Sequence, residues 1–295
     1  MSDTTCDGNT NIIYITSDCN IACDYCYQKE DRAKNKVKKA SKKQIDKFLL
    51  DLVKKEPNIV SICVVFGGEP FLEPESVFYL YKKANEITEE TGKLYSFCTN
   101  TNGIWFTKKK NRERFFKVFS ESKNSISLEI SFDGRGHVRR NYKNGESTKE
   151  DVKKVLLAFK EANVPFHLRY TLHRETLKTY KTDFISLSKF LTYNKKNRIV
   201  VSFFRSEIEP ILDEPYDTFL QNIKEFSRGV FSKFKVPICE LVCGDCKLCS
   251  FSDNRANDYT IPSEDDNIIE LISEDNAGDF NHFSIKEKNA TNTTK

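Results

Sequence analysis

Strand-like and helix-like segments alternate along most of this 295-residue chain. Apolar runs rich in β-branched and aromatic residues predict six strands, at 11–16, 60–66, 95–99, 127–132, 166–172 and 199–204. Apolar residues at helical spacing predict five helices between them, at 41–55, 74–91, 112–119, 148–162 and 183–193. Strands that alternate with helices form parallel sheets with right-handed crossovers. The sequence therefore predicts an α/β fold, a partial (β/α)6 TIM-like barrel, with a small C-terminal cysteine-rich extension.

The segments that follow the first four predicted strands carry the most distinctive residues. A cysteine loop follows the first strand, Gly67–Pro70 follows the second, Asn100–Gly103 the third and Asp133-Gly134 the fourth. In parallel α/β sheets the carboxyl ends of the strands lie at one edge, and binding sites form there. We therefore expect these four segments to lie at the same rim.

Three cysteines on one short loop, Cys19, Cys23 and Cys26, form the first candidate metal site. Three thiolates can bind three irons of a four-iron cubane and leave the fourth iron open, as a catalytic cluster needs. Zinc is the alternative, because gaps of two and three residues also suit zinc. Zinc would need a fourth ligand, and residues 27–62 contain neither His nor Cys. The pattern favours an iron–sulfur cluster.

Four short motifs resemble those of one superfamily. CNIACDYCY at 19–27 resembles the signature loop of radical S-adenosylmethionine (SAM) enzymes, and GGEP at 67–70 resembles their SAM-amino-group motif. TNTNG at 99–103 and SFDG at 131–134 resemble the peptide- and protein-modifying subgroup, of SPASM/twitch type and similar to anaerobic sulfatase maturases. The resemblance covers roughly residues 11–205.

The resemblance implies which residues bind SAM. The implied cofactor-binding residues are Tyr25, Gly67, Gly68, Glu69, Pro70, Asn100, Asn102, Ser131, Asp133 and Arg169. Glu69 and backbone carbonyls near Gly67-Gly68 would accept hydrogen bonds from the SAM amine. Glycine suits that position because the backbone must approach the ligand closely.

The remaining parts of SAM have candidate partners of their own. Ser131 and Arg169 would bind the carboxylate, either Asn100 or Asn102 the ribose hydroxyls, and Tyr25 the adenine. Each assignment has a structural alternative. Glu69 and Asp133 could be surface loop residues, Arg169 could be an ion-pair partner, and His137 and Arg140 could brace the loop after the fourth strand.

The implied reaction is reductive cleavage of SAM to a 5′-deoxyadenosyl radical, which removes a hydrogen atom from a substrate. The implied substrate is a peptide or protein side chain, and the implied electron donor is a protein such as flavodoxin or ferredoxin. A basic stretch at 29–55 contains 11 Lys/Arg and 4 Asp/Glu. It leaves open the alternative that the substrate is a nucleoside, a nucleic acid or a small metabolite. A non-catalytic iron–sulfur or zinc protein is a further alternative.

A second cysteine cluster lies near the C-terminal end. Its members are Cys239, Cys243, Cys246 and Cys249. Alone, this spacing suits either zinc or an iron–sulfur cluster. The resemblance favours an auxiliary iron–sulfur cluster, although the fuller pattern of the subgroup has seven or more such cysteines. Two other cysteines, Cys63 and Cys98, lie in apolar runs and are predicted to be buried structural thiols.

Composition and patterning also predict domain limits and location. No run approaches the roughly 18 apolar residues that a membrane helix needs, and Met1–Asn11 lacks the apolar core of a secretory signal. We therefore expect a cytoplasmic protein without membrane contact. We expect a core domain at 11–205, an extension with the second cysteine cluster at 206–280, and a disordered tail at 281–295.

Overall fold

The computed structural model describes residues 10–26, 28, 29, 32, 37–55 and 60–239, and the backbone of 259–262, 268–273 and 283–287. The strands in this part of the chain are β1 (Thr10–Thr16), β2 (Ile21–Cys23), β3 (Ser61–Gly67), β4 (Tyr95–Thr101), β5 (Ser125–Ser131), β6 (Arg140–Tyr142), β7 (His167–Leu172), β8 (Arg198–Phe203), β9 (Ile238–Cys239), β10 (Tyr259–Pro262), β11 (Ile268–Ser273) and β12 (Phe283–Glu287). The helices are α1 (Lys42–Lys55), α2 (Pro74–Thr91), α3 (Lys109–Glu121), α4 (Lys149–Glu161), α5 (Arg174–Leu177), α6 (Tyr180–Leu191), α7 (Arg205–Ile208) and α8 (Tyr216–Phe234).

A parallel sheet with helices forms the body of the molecule. Its central strands follow the order β1-β3-β4-β5-β7-β8, and each neighbouring pair is parallel. These are the six strands that the sequence predicts, so the expected α/β arrangement is confirmed. The predicted helices are present as well. Helix α3 begins three residues earlier than predicted, because its polar first turn, Lys109–Asn111, adds no apolar residue to the helical pattern.

The two faces of this sheet differ in character. Alternate strand residues such as Tyr95 and Phe97 are buried in the same apolar core as helix residues such as Val155 and Phe159 of α4. The residues between them lie on the opposite face, which we call the inner face. On β4, β5, β7 and β8 the inner face carries Ser96, Cys98, Asn100, Ser127, Glu129, Ser131, His167, Arg169, Thr171, Arg198, Val200 and Ser202. Most of the residues that line the inner face at these four strands are therefore polar.

The two cysteines that lie outside the clusters in apolar runs, Cys63 and Cys98, are on opposite faces of the sheet. Cys63 is fully buried in the apolar core, as predicted. Cys98 is half-buried on the inner face, where its Sγ lies 3.9 Å from the carboxylate of Glu129. Cys98 is therefore less buried than predicted, and a carboxylate lies beside it. The reason is strand alternation, which turns Cys98 away from its buried neighbours Phe97 and Thr99.

A second, two-stranded sheet joins the cysteine loop to the segment after β5. Strands β2 and β6 are antiparallel, with Cys23 opposite Arg140 and Ile21 opposite Tyr142. Three-residue strands are too short for sequence alternation to predict. Backbone pairing fixes the cysteine loop to a segment more than 100 residues away in the sequence.

The sheet continues beyond the six central strands. Strand β9 pairs with β8 and β10 with β1, both parallel, while β11 and β12 add antiparallel strands. The apolar run IIELIS of β11 is the sequence signal for part of this extension. Strand β12 lies within 281–295, for which the sequence predicts disorder, and its backbone pairs with β11 over Phe283–Glu287. The remainder of that tail, residues 281, 282 and 288–295, lies outside the described residues.

Candidate functional site

The three cysteines of the first cluster lie on the loop that follows β1. Cys19 and Cys23 expose only 7% and 9% of their surface, and Cys26 is half-buried. Apolar contacts from Ile21, Tyr25, Ile104 and Tyr142 surround them. The loop is held at its start by an Asp18 carboxylate oxygen, which accepts a 2.8 Å hydrogen bond from the Cys19 N–H.

Each of the three sulfur atoms has a side-chain N–H donor within hydrogen-bonding range. Asn102 Nδ2 lies 3.8 Å from Cys19 Sγ, and Arg140 Nη1 lies 4.0 Å from Cys23 Sγ. Arg32 Nη2 is closer, at 3.1 Å from Cys26 Sγ. Burial raises the pKa of the Cys19 thiol and raises that of Cys23 to about 12. Both thiols are therefore protonated at neutral pH until a metal displaces the protons.

The donor set fits a four-iron cubane better than a single zinc ion. A cubane takes one thiolate per iron, so three cysteines on a loop suffice and one iron stays open. A structural zinc ion needs four ligands that converge on one point. Among the described residues, no three His, Cys, Asp or Glu side chains converge in that way. A cavity of about 250 Å³ borders Cys19 and Cys23, and cationic residues Lys29, Arg32 and Lys143 are part of its lining.

Gly67 and Gly68 hold the end of β3 against the start of the cysteine loop. The Gly68 N–H donates to the Thr16 carbonyl at 2.8 Å, and the Glu69 N–H donates to the Asp18 carbonyl at 2.7 Å. A Cβ atom on Gly67 would lie 2.2 Å from the Thr16 oxygen, and one on Gly68 would lie 2.0 Å from the Asp18 oxygen. The close approach expected towards the SAM ligand is thus seen towards the protein backbone, which explains the need for glycine.

Substitution of Gly68 should therefore disturb the cysteine loop. We expect Gly68→Ala to lower the free energy of unfolding by about 1–3 kcal/mol, because the new methyl group displaces the Asp18 backbone. Urea unfolding and iron content per chain would measure the two effects. Gly229→Ala is the matched control, because no atom lies within 4 Å of its added Cβ. Equal stability and iron content for both variants would contradict this account.

Glu69 is fully buried and links the ends of β3 and β4. Its carboxylate accepts hydrogen bonds from Phe71 N (3.1 Å), Thr101 Oγ1 (2.8 Å) and Asn102 N (2.6 Å). Burial raises its pKa to about 7, and these donors oppose that shift. The alternative of an exposed surface residue is wrong for Glu69. Its predicted contact with the SAM amine stays a prediction. Pro70 is also buried and begins the short 3-10 turn Pro70–Leu72.

The two candidate ribose ligands, Asn100 and Asn102, have different environments. The side chain of Asn102 already contacts Cys19, donates to Asn20 Oδ1 at 2.8 Å and accepts from Ile104 N at 3.0 Å. Asn100 lies on the inner face at the end of β4, and its Oδ1 is buried without a hydrogen-bond donor. An unsatisfied buried acceptor is costly and points to a missing partner. Asn100 is therefore the better candidate for a ligand contact.

Tyr25, Asp133 and Arg140 form a buried network beneath the cysteine loop. Asp133 is fully buried, and its carboxylate accepts from Tyr25 Oη at 2.7 Å, Arg140 Nε at 2.6 Å and Thr171 N at 2.8 Å. Burial alone would raise the pKa of Asp133, but the charges of Arg140 and His137 lower it to about 2. The surface-loop alternative for Asp133 is therefore wrong.

Tyr25 packs against protein groups on several sides. The Arg139 and Arg140 guanidinium carbons lie 5.0 Å and 5.2 Å from its ring centroid, and the His173 ring lies 5.3 Å away. The predicted contact between Tyr25 and adenine stays a prediction. His137 braces the loop after β5, since its Nδ1 accepts from the Asp133 N–H at 3.1 Å.

Arg139 is a site residue whose partners the sequence could not indicate. Its Nε donates to Asp24 of the cysteine loop at 2.7 Å, and its Nη2 donates to Glu207 of α7 at 2.9 Å. The HVRR run after SFDG was the only sequence signal for it. Arg139 thus links the cysteine loop to the segment that follows β8.

Ser131 and Arg169 lie side by side, since they are paired in register across β5 and β7. Arg169 forms an ion pair with Glu129, and its Nη1 donates to Ser202 Oγ at 2.7 Å. Arg169 is thus an ion-pair partner in this structure, and its predicted contact with the SAM carboxylate stays a prediction. The shared register places the two residues next to each other across β5 and β7.

The second cysteine cluster is described at one position. Cys239 is buried on the inner face of β9, against Val200 of β8. Cys243, Cys246 and Cys249 lie outside the described residues. Within the part of the chain that the structure describes, no helix is both long and apolar enough to span a membrane.

Comparison with known families and proteins agrees with the motifs. The family model of the radical SAM superfamily matches residues 13–184. An uncharacterized protein of Methanocaldococcus jannaschii is 28% identical over 229 residues, which are 77% of this chain and 72% of that protein. The serine-type anaerobic sulfatase-maturating enzyme of Bacteroides thetaiotaomicron is 27% identical over 143 residues, which are 47% of this chain but only 32% of the enzyme.

Solved structures show the same fold. The chain is similar to anSMEcpe with bound AdoMet (SAM), with a TM-score of 0.64 and 19% identity over 89% of this chain and 74% of that protein. It is also similar to anSMEcpe with bound AdoMet and the Cp18Cys peptide, with a TM-score of 0.56 and 18% identity over 77% and 62% of the two chains. The partial-barrel fold is thereby confirmed. The chain belongs to the radical SAM superfamily of enzymes, which use SAM and a 4Fe–4S cluster.

Proposed function

We propose that this enzyme abstracts a hydrogen atom from a peptide or protein side chain. The observation that carries the proposal is the arrangement of Cys19, Cys23 and Cys26 as a three-thiol site beside the ends of β3 and β4. When bound, the cluster and SAM together supply a 5′-deoxyadenosyl radical. The chain's own residues hold these groups, orient SAM and exclude water.

Ser131, Arg169 and Asn100 are the proposed SAM ligands with the best structural support. Ser131 and Arg169 are neighbours in register, and a guanidinium can bind a carboxylate through two parallel hydrogen bonds. Arg169 would exchange or share its present partners Glu129 and Ser202 for this contact. Asn100 Oδ1, a buried acceptor without a donor, would accept a hydrogen bond from a ribose hydroxyl.

The assignment of a peptide substrate is supported by relatives of the chain. The matched Bacteroides thetaiotaomicron protein is a sulfatase-maturating enzyme, and anSMEcpe has been solved with a bound peptide. The chain spans about a third of the maturating enzyme's length, so the substrate is the part of the proposal that most needs a direct test.

We also propose a role for the second cysteine cluster. Cys239, Cys243, Cys246 and Cys249 would bind an auxiliary iron–sulfur cluster within an extension at 206–280, outside a core domain at 11–205. Cys239 lies on β9, which pairs with β8, and it is buried on the inner face of the sheet. This position of one thiol supports the proposal. Zinc is the alternative occupant.

The proposed function is tested by product analysis under anaerobic conditions. Reconstituted protein, SAM and either dithionite or reduced flavodoxin should yield 5′-deoxyadenosine and methionine. Candidate peptides encoded near this chain should increase the rate. When the peptide is deuterated, one deuterium should appear in 5′-deoxyadenosine, seen by mass spectrometry. Stimulation by nucleosides or RNA but by no peptide would refute the peptide assignment, and absence of SAM cleavage would refute the enzymatic reaction itself.

A further inference from the structure

Hydrogen-bond donors to the cysteine sulfurs come from three separate parts of the chain. Arg32 follows the cysteine loop, Asn102 follows β4, and Arg140 lies on β6. Each reaches a different sulfur, at 3.1 Å from Cys26, 3.8 Å from Cys19 and 4.0 Å from Cys23 respectively. Three independent donors on three different sulfurs form a shell around the whole thiol set.

We infer that Arg32, Asn102 and Arg140 set the reduction potential of the cluster by donating hydrogen bonds to its ligand sulfurs. The inference rests on the cluster that membership in the superfamily implies, and it does not depend on the substrate. Reduction adds one electron, and part of the added negative charge falls on the sulfurs. N–H donors and positive charges beside those sulfurs stabilise the reduced form, and so they raise the potential.

The three donors should affect the reduction potential unequally. Asn102 is neutral and lies at a long distance from Cys19. Arg140 is charged, but Asp133 lies 2.6 Å from its Nε and offsets much of that charge. Arg32 combines a formal positive charge with the shortest contact, and it is half-buried in the wall of the cavity beside the cysteines. A charged donor at this distance forms the stronger class of hydrogen bond. Arg32 should therefore have the largest effect.

The test is a potentiometric titration of the reconstituted full-length protein, followed by the electron paramagnetic resonance signal of the reduced cluster. It needs neither SAM turnover nor a substrate, so it is independent of the peptide assignment. We expect Arg32→Met to shift the midpoint potential to a more negative value. Arg32→Lys, which keeps the charge but loses the planar donor group, should shift it less.

Arg114→Met is the matched control, because it removes the same charge from α3, where Arg114 pairs with Glu75 rather than with a cysteine. It should leave the midpoint at the wild-type value. An unchanged or more positive midpoint in Arg32→Met, at wild-type iron content, would overturn the inference. The inference would also be overturned if both Arg32 variants lost iron while Arg114→Met kept it. Arg32 would then be needed to assemble the cluster and would not act on its reduction potential.

Discussion

Replacing Cys19, Cys23 and Cys26 together by alanine is expected to abolish SAM cleavage and to remove about four irons per chain, the content of one cubane. These three sulfurs are the ones that the side-chain donors around this loop contact. Iron determination and a 5′-deoxyadenosine assay would measure the two losses. Iron that remains in the variant would belong to the second cysteine cluster.

Cys63→Ala is the control for the triple variant. Cys63 is fully buried in the apolar core, on the opposite side of the sheet from the inner face. Its replacement should lower stability slightly and leave iron content and SAM cleavage unchanged. If the triple variant kept its iron, or still produced 5′-deoxyadenosine, the assignment of the catalytic cluster to this loop would be wrong.

Replacing Asp133 by alanine is expected to lower the free energy of unfolding by about 3–5 kcal/mol, because it leaves a buried charge without its partner. The Arg140 guanidinium would lose the carboxylate at 2.6 Å, and Tyr25 Oη and Thr171 N would lose their acceptor. Equilibrium unfolding in urea at pH 7 would measure the change. Iron loading should fall as well, since Tyr25 belongs to the cysteine loop.

The acid dependence of stability gives a second check on Asp133. Its folded-state pKa is lowered to about 2, below the unfolded value of about 3.9. Its stabilising contribution is therefore fully present above the unfolded pKa and is lost as the pH falls towards 2. The Asp133→Ala variant should lack this part of the acid dependence.

Asp151→Ala is the matched control, because its side chain is 38% exposed and bonds only Tyr142 and Lys154 among the described residues. Loss of such a surface contact should cost about 1 kcal/mol or less. If Asp133→Ala and Asp151→Ala lowered the free energy of unfolding equally, the buried network around Asp133 would stabilise the fold no more than a surface contact does.

Much of the fold could be predicted from the sequence because it depends on local patterns. The apolar runs at β1, β3 and β8 and the helical spacing of α4 persist over enough residues to identify each element. The GGEP segment could be placed at the rim because it directly follows an apolar strand.

Contacts between distant segments were less predictable. The pairing of β2 with β6 involves three residues on each side, too few for a periodic pattern. The partners of Arg139, Asp24 and Glu207, are 115 and 68 residues away in the sequence. Long-range partners of a charged side chain depend on how the strands are ordered, which no single segment encodes.

The sequence by itself determined the chemistry of this protein: three thiols at cubane spacing, glycines at a rim, and alternating strands and helices that bring them together. Only the tertiary structure decided what the neighbouring residues do. It placed Gly67 and Gly68 directly against the backbone of Thr16 and Asp18, where no side chain fits. It also made Asp133 the buried centre of a charged network. The physical reason is that sequence spacing fixes which side chains can reach a common site. Burial and the position of partner groups then decide which of those side chains already form hydrogen bonds or ion pairs within the protein.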